Sequence, residues 1–294
     1  MTANEKFDRY NRILLEKMSI FLNCEPDFVQ KEIIDELCTD CGLTDEEAFA
    51  FVLAAAVGMD TENSPADREL FERYFPDMLR KLDYDEFAHD PYLTSVIVPE
   101  TAEGTWELKY ETYRPYEAFA CGDLRGFSDG RVIPQIGFFD REFRYPAVLE
   151  NGREWMLITP NEIVTMREPI RRAHGKVLTF GLGLGYFAFM AAGKPDVQSV
   201  TVVERDRNVI RLFDTYIRPL FPLPCRDKIT VLHDDAYQYA EKRMKAGKYD
   251  FVFADIWHDP SDGVTAYRKL KKYERLLPKA EFLYWIEDTL KFYL

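Results

Sequence analysis

The chain has 294 residues, of which 47% are hydrophobic, 15% aromatic and 30% charged, a composition typical of a folded globular protein. Its formal net charge of -13 at pH 7 opposes binding to a phosphate backbone, so we expect no nucleic-acid partner. The first residues lack the basic start and apolar centre of a signal peptide, and the longest apolar run, 48–59, is too short to span a membrane. These features predict a cytoplasmic protein with no membrane partner.

The five cysteines predict reduced thiols, because no export signal accompanies them. Cys38 and Cys41 form a C-x-x-C, a spacing that can bind zinc or act as a redox pair. No second pair follows to complete four zinc ligands, so we predict packing residues and no metal site.

Residues 1–92 are predicted to form a helical N-terminal domain, because apolar residues recur there at spacings of three and four. Thr44 and Glu47 match a capping box at the start of one helix. Ser64-Pro65 begins another helix.

Residues 93–160 are predicted to be a β-hairpin-rich middle segment, with strands at 96–98, 106–113 and 131–138. The clearest element is a hairpin in which 143–149 and 153–158 flank Asn151-Gly152. Asn-Gly supplies the positive φ angles that a tight type I′ turn requires.

Residues 161–294 alternate short apolar strands with helical stretches, the pattern of a mainly parallel, doubly wound, Rossmann-like sheet. The whole chain is therefore predicted to belong to the α/β class. The predicted strands are 177–180, 200–203, 229–232, 251–254 and 282–286.

A glycine-rich turn follows the first of these strands and precedes a helix. Gly181, Gly183 and Gly185 allow the backbone to turn tightly and to approach a ligand, and the helix N-terminus offers free N–H groups. The spacing is G-x-G-x-G, whereas a dinucleotide site has G-x-G-x-x-G. Packing of the strand against the helix is the alternative explanation of these glycines.

Three further strands each end in residues suited to a ligand. Glu204 ends the second strand, where a carboxylate can accept both hydroxyl hydrogens of a ribose. Asp235 and Ala236 follow the third strand, where an acid or an amide can contact an adenine edge. Asp255 ends the fourth strand, at the edge where open α/β sheets bind ligands.

With these features in this order, residues 160–286 resemble the class I S-adenosylmethionine-dependent methyltransferases. The resemblance implies S-adenosylmethionine as cofactor, with Asp255 beside the reacting centre. It also implies that the glycines face the methionyl part, that Glu204 binds the ribose, and that Asp235 and Ala236 bind the adenine.

The sequence departs from that family at two points. Thr179 stands where the family usually has an acidic residue, two positions before the first glycine, so another contact to the methionyl ammonium is needed. Residues 288–294 are too few for the family's terminal strand pair. Strands of the middle segment could complete the sheet, or a partner subunit in a homodimer could cover its edge.

The loop after the fourth strand concentrates polar and aromatic residues. Asp255, Trp257, His258, Asp259 and Asp262 could hold a cationic substrate or take a proton from an amine. The alternative is a solvated turn in which Trp257 only packs.

This loop also resembles the spermidine synthase branch of the same fold, in which Asp-x-x-Asp-Pro binds the amine. The matching residues are Asp255 and Asp259-Pro260, with one extra residue between them. The stretch 139–145 resembles that branch's Asp-Glu-Phe-x-Tyr segment.

We therefore expect methyl transfer to a small-molecule acceptor, with an amine as one candidate. Asp255 or His258 would receive the proton, and Asp259 would hold the charge. Tyr145, Trp257 and Asp262 would contact the acceptor. The alternatives are aminopropyl transfer and a non-catalytic adenosyl-binding or scaffold protein.

Overall fold

The computed structural model describes residues 3–245 and 248–294, which form two compact units. The first unit contains the chain up to Ala88 together with Thr112–Arg144. The second contains His89–Glu111 together with Tyr145–Leu294. The sequence boundaries at residues 92 and 160 stay a prediction.

Helices occur in both units, and none of the described helices is both long and apolar enough to cross a membrane. In chain order the α-helices are α1 (Ala3–Cys24), α2 (Lys31–Cys41), α3 (Asp45–Ala56), α4 (Pro65–Met78), α5 (Tyr84–Ala88), α6 (Pro91–Ser95), α7 (Pro160–Arg172), α8 (Tyr186–Ala192), α9 (Arg207–Leu212), α10 (Leu223–Arg226), α11 (Ala236–Arg243), α12 (Pro260–Lys271) and α13 (Glu287–Phe292).

The strands form four separate sheets among the described residues. In chain order they are β1 (Leu79–Lys81), β2 (Thr101–Glu103), β3 (Trp106–Tyr113), β4 (Phe119–Ala120), β5 (Arg125–Gly126), β6 (Val132–Ile133), β7 (Ile136–Phe138), β8 (Phe143–Glu150), β9 (Arg153–Leu157), β10 (Gly175–Phe180), β11 (Val197–Glu204), β12 (Ile229–His233), β13 (Phe251–Ala254) and β14 (Glu281–Tyr284).

The N-terminal helices share their core with strands from later in the chain. Phe49 of α3 stacks on Phe138 of β7, with ring centroids 4.1 Å apart. The predicted capping box is confirmed: the Thr44 hydroxyl accepts a hydrogen bond from the Glu47 N–H, and the Glu47 carboxylate accepts one from the Thr44 N–H. Strand β1, which follows α4, pairs with β7 from later in the chain. Residues 112–144 therefore belong to the same unit as these helices.

Asn11 is the main buried polar side chain of this first unit, and it is only 2% exposed. Its amide nitrogen donates to the Gly130 carbonyl at 3.0 Å. Its oxygen accepts hydrogen bonds from the Tyr74 hydroxyl at 2.9 Å and from the Val132 N–H at 3.0 Å. One side chain thus satisfies three polar groups that would otherwise be buried without partners.

We predict that Asn11→Ala lowers the free energy of unfolding by about 2–4 kcal/mol, because it leaves these three groups unpaired. Chemical denaturation measures the change. Asn23→Ala is the control, since Asn23 is exposed on the same helix and, in the described part of the chain, its side chain bonds only the Ser19 carbonyl. Equal effects of the two substitutions would contradict the role given to Asn11.

Two predicted strands of the middle segment are wrong, one in its existence and one in its extent. Residues 96–98 form no strand, because Asp90 caps α6 just before them and Val96 ends that helix. The predicted strand 131–138 is two short strands, β6 and β7. Pro134 lies between them and has no N–H to donate to a neighbouring strand.

The predicted hairpin is confirmed. Glu150 pairs with Arg153 across the turn, and Asn151 and Gly152 have φ angles of 53° and 74°. Positive φ at both central residues is the signature of a type I′ turn. The two arms, β8 and β9, belong to a sheet with the order β2-β3-β8-β9.

The second unit is built around a five-stranded parallel sheet with the order β12-β11-β10-β13-β14. The fold is therefore α/β and Rossmann-like, as predicted. The chain moves outward from β10 to β12 and then returns to β13 on the other side of β10. This reversal makes the carboxyl edge between β10 and β13 a topological switch point, the position at which such sheets bind ligands.

Strand β14 pairs with β13 in this sheet, and helix α13 follows it along the chain. The strands of the middle segment do not join it, since β2, β3, β8 and β9 form their own sheet. Strand β14 is therefore the last strand on its side of the sheet. Coverage of that edge by a second subunit remains a prediction.

Candidate functional site

The three glycines of the turn after β10 all have positive φ angles, but the space around their Cα atoms differs. The angles are 96° at Gly181, 53° at Gly183 and 79° at Gly185. A Cβ atom on Gly181 would overlap the carbonyl oxygen of Asp255, and one on Gly185 would lie 2.5 Å from the Phe213 ring. A Cβ on Gly183 would meet no atom within 4 Å. Packing therefore requires the outer two glycines, while the space beside the middle one is open.

Helix α6 holds this turn in place. The Tyr92 hydroxyl donates to the Leu184 carbonyl at 2.6 Å, and the Tyr186 hydroxyl donates to the Asp90 carboxylate at 2.9 Å. The other Asp90 oxygen accepts the Tyr92 N–H at the start of α6. Tyr186, which stands where a dinucleotide site has its third glycine, thus anchors the turn. The Asp90-Pro91 helix start could have shown α6 in the sequence, but not its contact with the turn.

Glu204 joins the glycine turn to the loop after β11. One carboxylate oxygen accepts the Leu182 N–H at 3.1 Å, and the other accepts the Asp206 N–H at 2.8 Å. These bonds fix the orientation of the carboxylate. Each oxygen keeps a further lone pair with which it can accept a hydroxyl hydrogen of a ribose.

Asp235 caps helix α11, and Ala236 is the first residue of that helix. One Asp235 oxygen accepts the N–H groups of Tyr237 and Gln238, both at 3.0 Å. The carboxylate therefore has a structural task that explains its presence without a ligand. Its predicted contact with an adenine, and that of Ala236, stays a prediction.

Asp255 lies at the switch point, directly after β13. Its N–H donates to the Phe180 carbonyl at 2.9 Å, which continues the pairing of β13 with β10 up to the glycine turn. The side chain is half-buried. Burial raises the pKa of Asp255 to about 7, because a carboxylate loses hydration there.

Glu162, in the first turn of α7, is a site residue that the sequence reasoning missed. Its N–H donates to the Thr159 hydroxyl, which is the first of the two hydrogen bonds of a capping box. Within the described residues its carboxylate does not return the bond to the Thr159 N–H, in contrast to Glu47 at α3. Burial, and then the charge of Asp255, raise the pKa of Glu162 well above its usual value.

The position of α7 brings Glu162 to the carboxyl edge of the sheet. Thr165 lies three residues further on the same helix face, and its hydroxyl accepts a 2.9 Å hydrogen bond from the Trp285 indole. The backbone N–H of Trp285 donates to the Ala254 carbonyl at 3.0 Å. This face of α7 thus contacts Trp285, which directly follows β14 and whose backbone bonds the residue before Asp255.

Asp259 and Asp262 form a capping box at the start of α12. The Asp259 carboxylate accepts the Ser261 N–H at 2.6 Å, and Asp262 accepts the N–H groups of Asp259 and His258 at 3.2 Å. Hydrogen bonds from Ser261 lower the pKa of Asp259. Both carboxylates are exposed and locally satisfied, so their predicted contacts with a substrate remain predictions.

The other predicted substrate residues lie in different settings. His258 is exposed, with its Nδ1 3.5 Å from the Asp262 carboxylate and its ring 4.9 Å from the Trp155 ring. Trp257 is buried where α12 begins, and its ring closely approaches Gly263. Tyr145 is buried in β8. A role of any of them in acceptor binding stays a prediction.

Comparison with known proteins adds little to this description. No family model and no curated protein sequence matches the chain. A solved structure of precorrin-8w decarboxylase from Methanobacterium thermoautotrophicum is similar with 17% identity and a TM-score of 0.31, over 43% of this chain and 63% of that one. The methyltransferase domain of the bacterial protein CtHen1 is similar with 17% identity and a TM-score of 0.26, over 40% and 55%.

A Klebsiella pneumoniae protein described as an O-methyltransferase is similar with 18% identity and a TM-score of 0.29, over 40% of this chain and 51% of that one. The chain thus spans less than two thirds of each of these structures. At such scores the assignment of the fold depends on this chain's own strand order.

The glycines provide a test of the site's geometry. We predict that Gly181→Ala destabilises the second unit by more than about 4 kcal/mol, because the new methyl group overlaps the Asp255 carbonyl. Gly183→Ala is the matched control: it meets only the backbone strain of a positive φ, about 1–2 kcal/mol. Thermal unfolding compares the two variants, and equal losses would contradict the close contact at Gly181.

The raised pKa of Asp255 predicts a pH dependence of stability. The carboxyl loses its proton at about pH 3.9 in the unfolded chain and at about 7 in the folded chain. Between these values the folded chain binds more protons, so this residue's contribution to the free energy of unfolding falls as pH rises. Asp255→Asn should therefore gain stability relative to the wild type between about pH 4 and 7.5, measured by denaturant titration.

Asp259→Asn is the control of opposite sign. The lowered pKa of Asp259 stabilises the folded chain above the unfolded pKa, and this gain is lost as pH falls. The variant should therefore lose stability relative to the wild type as pH rises. Parallel pH profiles of the two variants would contradict the environments assigned to the two carboxylates.

Proposed function

We propose that this protein is an S-adenosylmethionine-dependent methyltransferase acting on a small molecule. The observation that carries the proposal is the meeting of three features at one switch point: open space beside Gly183, the oriented carboxylate of Glu204, and the half-buried Asp255. This combination suits a nucleoside ligand next to a reacting group.

The residues present fit such a cofactor. Glu204 would accept hydrogen bonds from the ribose hydroxyls, and the first turn of α11 would lie at the adenine. The open side of Gly183 would admit the chain that carries the sulfur. When bound, the cofactor supplies a methyl group already activated by its sulfonium, so that the protein's main tasks are alignment and exclusion of water.

The acceptor is assigned as a nucleophile that loses a proton, for which an amine is the leading candidate. Asp255 is the best placed proton acceptor, because its raised pKa allows it to take a proton near neutral pH. His258 and Asp259 are weaker candidates, since one is exposed and the other caps α12.

Aminopropyl transfer is a second candidate, favoured by the order of Asp255 and Asp259-Pro260 around the loop. The capping box at Asp259 counts against it, because a carboxylate that caps a helix is less free to hold an amine. A non-catalytic adenosyl-binding protein would share the cofactor site and lack turnover.

Thermal unfolding with a panel of ligands tests the proposal. We expect S-adenosylmethionine and S-adenosylhomocysteine to raise the melting temperature, and a ligand at 100 times its dissociation constant stabilises by about 2.7 kcal/mol. Glu204→Gln should abolish the shift, because an amide cannot accept two hydroxyl groups in the same way. The unfolding of ligand-free Glu204→Gln is the control for folding.

The remaining ligands separate the alternatives. A response confined to decarboxylated S-adenosylmethionine and methylthioadenosine would favour aminopropyl transfer. A response to NAD alone, or to no adenosyl ligand, would contradict the proposed cofactor. Binding without turnover of any amine, hydroxyl or thiol acceptor would favour the non-catalytic alternative.

A further inference from the structure

The outer edge of strand β14 presents backbone groups that no described residue bonds. The N–H groups of Glu281 and Trp285 both donate to carbonyls of the neighbouring segment 250–254, so the odd-numbered residues face β13. Backbone groups of successive strand residues point in opposite directions. The N–H and C=O groups of Phe282 and Tyr284 therefore point away from β13, and in the described chain they form no backbone hydrogen bond. An edge of this kind is a template for pairing with another strand.

The opposite edge strand of the same sheet, β12, is protected. Strands β12 and β14 are the two outer strands of this sheet. The Val200 N–H donates to the Lys228 carbonyl, so Ile229 and Val231 face away from β11. The outward carbonyl of Ile229 accepts a 3.0 Å hydrogen bond from the Arg218 guanidinium. A charged side chain thus blocks this edge, a common device against edge-to-edge pairing, whereas β14 contains no Lys, Arg or Pro and no bulge.

Helices pack on both faces of β14 and leave its edge open. On one face the ring centroid of Tyr284 lies 4.8 Å from that of Tyr267 in α12. On the other face Glu281 forms an ion pair with Arg172 of α7. The two residues between Glu281 and Tyr284, a phenylalanine and a leucine, stay half-buried. A partner at this edge would therefore cover apolar side chains as well as bond the backbone.

We propose that β14 is a dimer interface, at which β14 of a second copy pairs antiparallel about a two-fold axis at Leu283. In this register the outward groups of Phe282 exchange hydrogen bonds with Tyr284 of the partner subunit, and symmetry repeats the exchange. An axis at either neighbouring residue would pair one of these two residues with itself and leave the other beyond the end of the partner's strand. The strand thus complements itself, which identifies the partner as this same chain. This interface is independent of the proposed function.

The charges that flank β14 favour the antiparallel direction. Lys279 lies just before the strand, is exposed, and forms no ion pair within the described residues. Glu287 and Asp288 lie in the first turn of α13, beyond the other end of the strand. Antiparallel pairing turns Lys279 of each chain toward the acidic helix start of its partner, whereas parallel pairing would bring like charges together. Opposite charges at the ends of an interface help to fix its register.

A cysteine at the two-fold axis tests the register. Position 283 faces its own copy in a non-hydrogen-bonded antiparallel pair, with Cα atoms about 4.5 Å apart, a separation that a disulfide can span. Leu283→Cys should therefore form a disulfide-linked dimer with oxidised glutathione. Phe282→Cys is the matched control, because position 282 is a diagonal neighbour of its own copy, about 7–8 Å away. It also controls for the exposed native thiols of Cys24 and Cys41.

The mass of the full chain in solution tests the interface itself. Size exclusion with light scattering should give twice the chain mass for the wild type and the chain mass for Phe282→Pro. Proline there removes an outward N–H and takes no bond from β13, so each subunit keeps its own sheet. Val231→Pro is the matched control, since it removes an outward N–H from the protected edge of β12 and should stay dimeric. Thermal unfolding checks that both variants are folded.

A wild type that stays monomeric up to about 100 μM overturns the proposal. A dimer whose mass Phe282→Pro leaves unchanged also overturns it, because the interface then lies elsewhere. Equal crosslinking of Leu283→Cys and Phe282→Cys would contradict the axis at Leu283. Each of these measurements is made without an adenosyl ligand, so failure of the proposed function would not affect them.

Discussion

The backbone that follows β10 passes so close to the backbone that follows β13 that its first residue, Gly181, must be a glycine. Gly181 leaves no room for a Cβ beside the Asp255 carbonyl, and the Asp255 N–H bonds the Phe180 carbonyl. This contact fixes the distance between the glycine turn and the end of the fourth parallel strand. Glu204 and α6 both bind the turn that begins there.

Two kinds of residue meet at this point. Some serve the fold and are fully satisfied, as Asp90 is when it bonds both α6 and Tyr186. Asp255 is of the other kind: its backbone N–H bonds the Phe180 carbonyl, but its half-buried carboxyl, whose pKa burial raises, is the group proposed to take part in the reaction.

The sequence predicts the parallel sheet well because strands buried on both faces appear as short apolar runs, and it predicts the hairpin because Asn151-Gly152 favours one turn type. It fails at 96–98, where three apolar residues follow a helix that begins at Pro91. It misses Glu162 because Thr-x-x-Glu has a sufficient local explanation, and because Asp255 lies far along the chain. Contacts of that kind depend on the tertiary structure.

A structure of the complex with S-adenosylhomocysteine would show whether the cofactor binds at this switch point. We expect ribose hydroxyls on the Glu204 carboxylate and the homocysteine chain passing the open side of Gly183 toward the carboxyl edge of β13. A ligand bound elsewhere, or one whose ribose makes no contact with Glu204, would contradict the assignment of this switch point as the cofactor site.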